Sequence, residues 1–289
     1  MTARSYLFVP GDRDDMLAKA SERGADAIIA DLEDAVAPSR KAAARETVAA
    51  WVAGVQRTGP QIWVRVNLEP HHLEQDIAAV VSPRLSGIML PKVHSPSEIH
   101  AVAGILGDHE VNLGLEPNTI RILPIVETAE GLLNVRGLAA ANRVELLMIG
   151  EFDLTADLGI DPEDEAAMLP LRLAVVVASA AARISPPLGP VASDFRDLDD
   201  LRETTQQLAR RGFGARPAIH PAQVPIINEV FTPPPQEVTS ALELVQRYDA
   251  VLAEGRGSAI DADGMMIDEA VVRSARRLLE RARRFGLTP

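Results

Sequence analysis

Charged residues recur at one kind of place in this chain, the ends of short apolar runs. One run closes on Asp31, Glu33 and Asp34. Another contains Arg65 and ends at Asn67. Others end at Lys92, at Glu127, at Glu151 and Asp153, and at His220. In a parallel α/β sheet such positions meet along one rim, where catalysis is placed. Carboxylates gathered there repel one another unless a cation lies between them. With no cysteine in the chain and no well-spaced histidine pair, the donors are hard oxygens. Those select Mg²⁺, or Mn²⁺, over zinc. Arg65 is unusual because it sits inside an apolar run, and arginine is rarely buried without a partner.

Each of these residues also has a plainer role. Asp34 and Thr128 follow strands and could cap helices. Arg65 could form a structural ion pair with Asp31 or Glu33. His220 could be a satisfied core histidine, and Lys92 a solvated rim residue. The adjacent His71 and His72 make a weak metal site.

The elements that would position them follow from the apolar pattern. Runs at 6–9, 27–32, 62–66, 87–90, 120–126, 145–149, 184–191 and 218–220 are mostly continuous rather than alternating. Helix-period segments separate them. Continuous runs mark parallel strands buried on both faces. Eight such units in about 220 residues predict a (β/α)8 TIM barrel. The rival doubly wound sheet lacks its GxGxxG after the first strand. Pro186 and Pro187 weaken the seventh run. Ser95-Pro96-Ser97-Glu98 reads as a capped helix start. After the triple proline at 233–235 the texture changes. A helix over 235–254, a loop over 255–264 and an arginine-rich helix over 268–285 predict a C-terminal helical extension. The division is a catalytic barrel over 1–230 and an extension over 231–289, packing over a barrel mouth or on a neighbouring subunit.

Composition sets outer limits. The chain has 289 residues, with 29 Lys and Arg against 41 Asp and Glu, a formal charge of −12. That field disfavours nucleic acid and anionic membrane. Aromatics make up only 3%, so aliphatic side chains must fill the core. The absence of cysteine, of an apolar N-terminal stretch and of a run near about 20 apolar residues predicts a cytoplasmic protein with no signal peptide and no membrane span.

Eight segments in order resemble one family. They are 4–13 (RSYLFVPGDR), 31–36 (DLEDAV), 64–67 (VRVN), 89–92 (MLPK), 125–131 (IVETAEG), 150–154 (GEFDL), 212–223 (GFGARPAIHPAQ) and 264–268 (GMMID). Together they are similar to the citrate lyase β-subunit and malyl-CoA lyase family, a branch of the HpcH/HpaI aldolases. The resemblance implies a (β/α)8 barrel with a helical extension, assembled as a homotrimer or hexamer. It implies a Mg²⁺-dependent carbon–carbon lyase that splits a 2-hydroxy-acid CoA thioester into an acyl-CoA and a 2-oxo acid. Glu127 and Asp153 match the metal ligands, and Arg65 the arginine that contacts oxo acid and enolate. Glu33 matches an acid near the metal waters, and Asp268 an acid/base supplied by a neighbouring subunit. Phe152 falls beside Asp153 in the substrate site. Phe8, Arg13 and Lys19, with Ile219 and His220, fall at CoA or thioester contacts. Two departures touch the thioester side or rim: Arg216 stands where citrate lyase β-chains carry Lys, and 188–195 (LGPVASDF) matches loosely. Other readings of the same residues are a malyl-CoA-type thioesterase, a non-catalytic complex subunit and a CoA-independent 2-oxo-acid aldolase.

Overall fold

The computed structural model describes residues 3–56, 58–253, 259–260 and 266–287. The chain divides into two compact units, Thr2–Asn228 and Glu229–Pro289.

The first unit alternates strands and helices. In order it holds β1 (Ser5–Pro10), α1 (Asp14–Ala20), β2 (Ala27–Asp31), α2 (Lys41–Gly54), β3 (Gln61–Arg65), α3 (Pro70–Val80), β4 (Gly87–Leu90) and α4 (Pro96–Leu113). There follow β5 (Arg121–Val126), α5 (Ala129–Leu133), α6 (Val135–Ala140), β6 (Met148–Ile149), α7 (Glu151–Leu158), α8 (Glu165–Ala182), α9 (Leu198–Arg210) and β7 (Arg216–Ala218). The strands form one parallel sheet in the order β6-β5-β4-β3-β2-β1-β7. Every residue of β2 and β4 is buried, as continuous apolar runs require when both faces are covered. Tyr6, Ile29, Trp63, Leu123 and Met148 belong to one core cluster. At the start of α4, Glu98 accepts the N–H of Ser95 at 2.8 Å, completing the capping box.

The sheet has seven strands where the sequence predicts eight in a closed barrel. The missing one is the run 184–191. Pro186, Pro187 and Pro190 have no N–H to give, so a regular ladder cannot form. Leu188 instead makes isolated parallel bridges to Met148 and Ala215, with Leu188 N–H on Leu147 O at 2.8 Å and Gly189 N–H on Ala215 O at 2.9 Å. The result is a curled parallel sheet with helices.

One further correction concerns α8. The sequence predicts no stretch of spanning length, yet α8 is 18 residues long with mean hydropathy 1.6. It includes Arg172, which is ion-paired to Glu151 at 2.5 Å, and it lies against α6 and β6.

The chain passes into the second unit within α10 (Val224–Phe231). That unit holds α11 (Pro235–Ala253), the two-stranded antiparallel pair β8 (Ala259–Ile260) and β9 (Met266–Ile267), and α12 (Glu269–Arg284). Val238 and Ala241 pack on Leu279 and Ala282. Of the predicted loop 255–264, residues 255–258 and 261–264 lie outside the described residues. So do Gly264 and Met265 of the 264–268 segment.

Candidate active site

Register places the first ion pair. β2 and β3 run side by side with Asp31 opposite Arg65, each the last residue of its strand. Arg65 Nε donates to Asp31 Oδ1 at 2.7 Å and Nη2 to Oδ2 at 2.6 Å, a two-pronged pair. Nη1 lies 3.0 Å from Glu33 and 3.4 Å from Asp34. The guanidinium carbon sits 5.3 Å over the ring of Phe8. Burial acts to lower the pKa of Arg65, but Asp31, Glu33 and Asp34 more than offset it, and the group stays a cation. The structural ion pair that the sequence offers as an alternative is thus present, with both Asp31 and Glu33.

Asp31 is only 2% exposed and also accepts the N–H of Glu33 and of Ala35, at 2.9 and 3.2 Å. The turn after β2 is held from behind as well. Asn67 donates to Leu32 O at 3.0 Å and to Asp76 at 2.7 Å, while Lys41 donates to the carbonyls of Leu32 and Glu33. Glu33 therefore reaches Arg65 and Lys92 from a fixed backbone. Burial raises its pKa, against the lowering effect of the two cations.

Glu127 follows β5 and is 4% exposed. The backbone N–H of Lys92 donates to its Oε1 at 2.6 Å. Lys92 has φ 50, left-handed for a residue with a side chain, and that turn aims the N–H. Its ammonium reaches back to Glu33 at 2.6 Å and Asp34 at 3.5 Å. Burial pushes the Glu127 carboxyl up to about 7; the Lys92 N–H opposes this, and the charge of Asp153 adds to it. Gly150 makes room for this carboxylate: a Cβ there would stand 2.5 Å from Glu127 Oε2. Asp153 lies in the first turn of α7. Its neighbour Glu151 is taken by Arg172, at 2.5 and 2.8 Å.

These groups open on a cavity of about 480 Å³. Asp31, Arg65, Glu127 and Asp153 line one part of it, and Phe8, Ile125, Met148, Val191 and Ile219 another. Phe152, 58% exposed, also borders it. Of the residues singled out from sequence, Phe8, Arg65, Glu127, Phe152, Asp153 and Ile219 come together here, with Glu33 touching Arg65. His220 is not a core residue: it is exposed, stacks on Phe195 with ring centroids 4.6 Å apart, and accepts the Ala222 N–H at 3.1 Å through Nδ1. Arg13 is paired with Asp15 at 2.9 Å, and Lys19 is exposed on α1; neither lines the cavity. Asp268 belongs to the other unit, where its Oδ1 accepts the N–H groups of Ala270 and Val271 as the cap of α12.

Arg216 does not reach the rim. It is 4% exposed and donates to Pro190 O at 3.0 Å and to Thr204 and Thr205 at 2.8 Å. It sits at the start of β7 rather than its end, so it braces α9. Gly150 and Arg172 are the contributors that sequence reading gives no role, and Asp31 is one it offers only as a structural partner of Arg65. Asp31 carries a usable signal, being the acid in register with an arginine inside an apolar run. Arg172 carries none, because its partner lies 21 residues away.

Among the described residues no three His, Cys, Asp or Glu side chains gather as a metal site. Glu127 and Asp153 are a pair. A pair suits Mg²⁺, which keeps several waters and takes one or two carboxylates with substrate oxygens completing its shell. Among the described residues the hydrogen bond to Glu127 comes from the Lys92 N–H and not from a side-chain cation, while burial first and then the charge of Asp153 raise its pKa against the opposing charge of Arg65. The donors present therefore fit a divalent cation.

A family model described as HpcH/HpaI aldolase/citrate lyase matches residues 4–221. The chain is 30% identical over 280 residues to a (3S)-malyl-CoA thioesterase of Cereibacter sphaeroides, covering 96% of this chain and 94% of that protein. It is also 30% identical over 303 residues to the L-malyl-CoA/beta-methylmalyl-CoA lyase of the same organism, with 96% and 94% covered. Among solved structures, the CitE protein of Mycobacterium tuberculosis in complex with magnesium, acetoacetate and coenzyme A superposes with TM-score 0.77 at 28% identity, covering 96% and 97% of the two chains. With the model spanning three quarters of its length and two full-length relatives beside it, this chain belongs to the HpcH/HpaI aldolase/citrate lyase family.

Proposed function

We propose that this protein is a Mg²⁺-dependent carbon–carbon lyase that cleaves, or in reverse forms, a 2-hydroxy-acid CoA thioester, giving an acyl-CoA and a 2-oxo acid. The observation that carries this reading is the buried carboxylate of Glu127 opening with Asp153 and Arg65 on one cavity. Glu127 and Asp153 would hold the metal; Mn²⁺ suits the same oxygens. When bound, the metal supplies Lewis acidity toward the oxygens of the 2-oxo acid.

The chain's own residues account for the rest. Cleavage removes the proton of the 2-hydroxyl, closes that oxygen to a carbonyl and breaks the bond to the thioester α-carbon. The electron pair passes into the thioester as an enolate, which a proton then quenches. Arg65 is held flat by Asp31 and stays charged, so its dipoles are oriented before negative charge develops. A preorganised donor of this kind is worth about 3–4 kcal/mol. Phe8 and Ile219 offer an apolar edge to the thioester arm. The family resemblance assigns the acid/base step to Asp268 from a second copy in a homotrimer or hexamer. In this chain both N–H groups that it caps reach the same oxygen, Oδ1.

Glu127→Ala and Asp153→Ala should each abolish Mg²⁺-dependent turnover of malyl- or citramalyl-CoA, and full turnover in either variant would refute the assignment. A second reading, hydrolysis of the thioester, is supported by the similarity to a malyl-CoA thioesterase. Product analysis separates the two: free CoA with intact 2-hydroxy acid means a thioesterase, acyl-CoA with 2-oxo acid a lyase.

A further inference from the structure

Glu127 and Asp153 come from different elements, and their carboxylates can close on one ion only if those elements keep a fixed offset. Glu127 follows β5, while Asp153 lies in α7, which begins after β6. Glu127 is aimed by the N–H of Lys92. The aim of Asp153 depends on how α7 is held. Near its start, Glu151 binds Arg172 of α8. Near its end, Asp157 Oδ2 accepts the N–H of Ala129 at 2.7 Å. Asp157 follows Asp153 by four residues, so the two side chains share one face of the helix, a turn apart. Ala129 is the first residue of α5 and stands two residues past Glu127. The carboxylate of Asp157 therefore joins the helix that carries one acid to the turn that carries the other.

That turn is itself firmly placed. Thr128 Oγ1 accepts the Gly131 N–H at 3.0 Å as the cap of α5. A Cβ on Gly131 would collide with Val93 O, so α5 is pressed against the turn after β4. From the far end of α5, Asn134 donates to His94 O at 2.8 Å. The same turn supplies the Lys92 N–H to Glu127. Asp157 is exposed and does not line the cavity, so it acts on the site only through what it fastens.

We infer that Asp157 is a positioning residue for the metal centre: through the Ala129 N–H it sets the separation of the Asp153 and Glu127 carboxylates, and so favours a small octahedral ion over a larger one. This rests on the reading of Glu127 and Asp153 as metal ligands and deepens it. Mg²⁺ demands near-ideal octahedral geometry with oxygens at about 2.0–2.1 Å, whereas Ca²⁺ accepts irregular shells at about 2.3–2.6 Å. Freeing α7 should thus penalise Mg²⁺ more than Ca²⁺. A carboxylate that acted only through its charge would attract both divalent ions alike.

The test is calorimetric titration of the full metal-free chain with Mg²⁺ and with Ca²⁺, on folded protein at one pH. Asp157→Ala removes both charge and acceptor. Asp157→Asn removes the charge but keeps an oxygen for the Ala129 N–H. Loss of a residue that orients a metal's ligands costs about 10–100-fold in affinity, so Asp157→Ala should weaken Mg²⁺ binding about tenfold and Ca²⁺ binding less than about threefold. Asp157→Asn should keep the wild-type ratio of the two affinities. An unchanged ratio in Asp157→Ala overturns the inference, and so does a ratio in Asp157→Asn as low as in Asp157→Ala. Glu127→Gln separates the inference from the reading beneath it. If Glu127→Gln binds Mg²⁺ as the wild type does, the metal assignment is wrong and the inference falls with it. If Glu127→Gln loses Mg²⁺ while Asp157→Ala keeps it, the assignment stands and the inference alone fails.

Discussion

Glu110 and Glu127 stand at opposite ends of β5, the first against its start and the second just past its finish, at 1% and 4% exposure. Glu110 accepts both terminal nitrogens of Arg143, at 2.7 and 2.8 Å, and the N–H groups of Ile120 and Asn118 at 2.8 and 2.9 Å. Burial alone would raise its pKa; Arg143 and the two N–H groups hold it below the usual carboxylate range. Glu127 is as deeply buried, has one N–H from Lys92, and faces Asp153 instead of a cation of its own. A buried acid whose charge is closed off by a partner is part of the scaffold. A buried acid left unbalanced beside a cavity is poised for a ligand, and perturbed groups of that kind cluster at functional sites.

The largest expected effect separates the two glutamates by what each loses. Glu127→Gln keeps the shape but removes a metal ligand, and kcat should fall by about 10³-fold, equivalent to roughly 4 kcal/mol. Steady-state kinetics with saturating Mg²⁺ checks it. Glu110→Gln, assayed on folded protein, should keep kcat within about threefold. It should instead lose about 3–5 kcal/mol in urea unfolding, because Arg143 is left buried without its counter-ion. A catalytic collapse in the Glu110 variant would erase the distinction between scaffold acid and site acid.

The second effect is in pH. Glu127 titrates from 4.5 in the unfolded chain to about 7 in the fold. Between those values the folded protein holds a proton that the unfolded chain releases. Its contribution to stability is complete below about 4.5 and is lost as pH rises through about 7. The span is roughly 3 kcal/mol. Metal-free protein should therefore lose stability over this window, and Glu127→Gln should flatten the slope. Mg²⁺ binds the ionised form, so it should raise Tm more at pH 8 than at pH 5.5, with chelation by EDTA reversing the gain. A Mg²⁺-induced shift of the same size in Glu127→Gln would place the metal elsewhere.

The contrast between the ends of β5 also explains what the sequence revealed. Glu127 is legible because it directly follows an apolar run, and Arg65 because it interrupts one. Period and spacing are local properties, and they place β2, β4 and the Ser95 cap with little error. The seventh run fails for a local reason too, since three prolines withhold the N–H groups a ladder needs. What is not legible depends on distance in sequence. Glu110 and Arg143 are 33 residues apart, and nothing in either neighbourhood announces the pair. Arg216 follows the same logic: it stands at the start of its strand, two residues before the end, and that offset turns a rim cation into a brace for α9. The apolar wall is hidden likewise, because Ile125, Met148 and Val191 look like ordinary core until the sheet curls.

The smallest effect concerns the N–H that Glu127 does have. Lys92 holds a left-handed backbone at φ 50, which costs a residue with a Cβ about 1–2 kcal/mol and glycine nearly nothing. Lys92→Gly and Lys92→Met both remove the ammonium, whose half-exposed pairing with Glu33 is worth at most about 1 kcal/mol. Only the glycine variant also relieves the backbone. Lys92→Gly should thus be more stable than Lys92→Met by about 1 kcal/mol in urea unfolding. Both should keep the Lys92 N–H on Glu127 and so retain Mg²⁺ binding within about tenfold of wild type. Equal stability of the two variants would mean that the turn carries no strain, and the single N–H on Glu127 would then be incidental to the fold rather than imposed by it. Loss of Mg²⁺ binding in both would instead give the ammonium a share in the metal corner, and the charge balance around Glu127 would extend across Glu33 to β4.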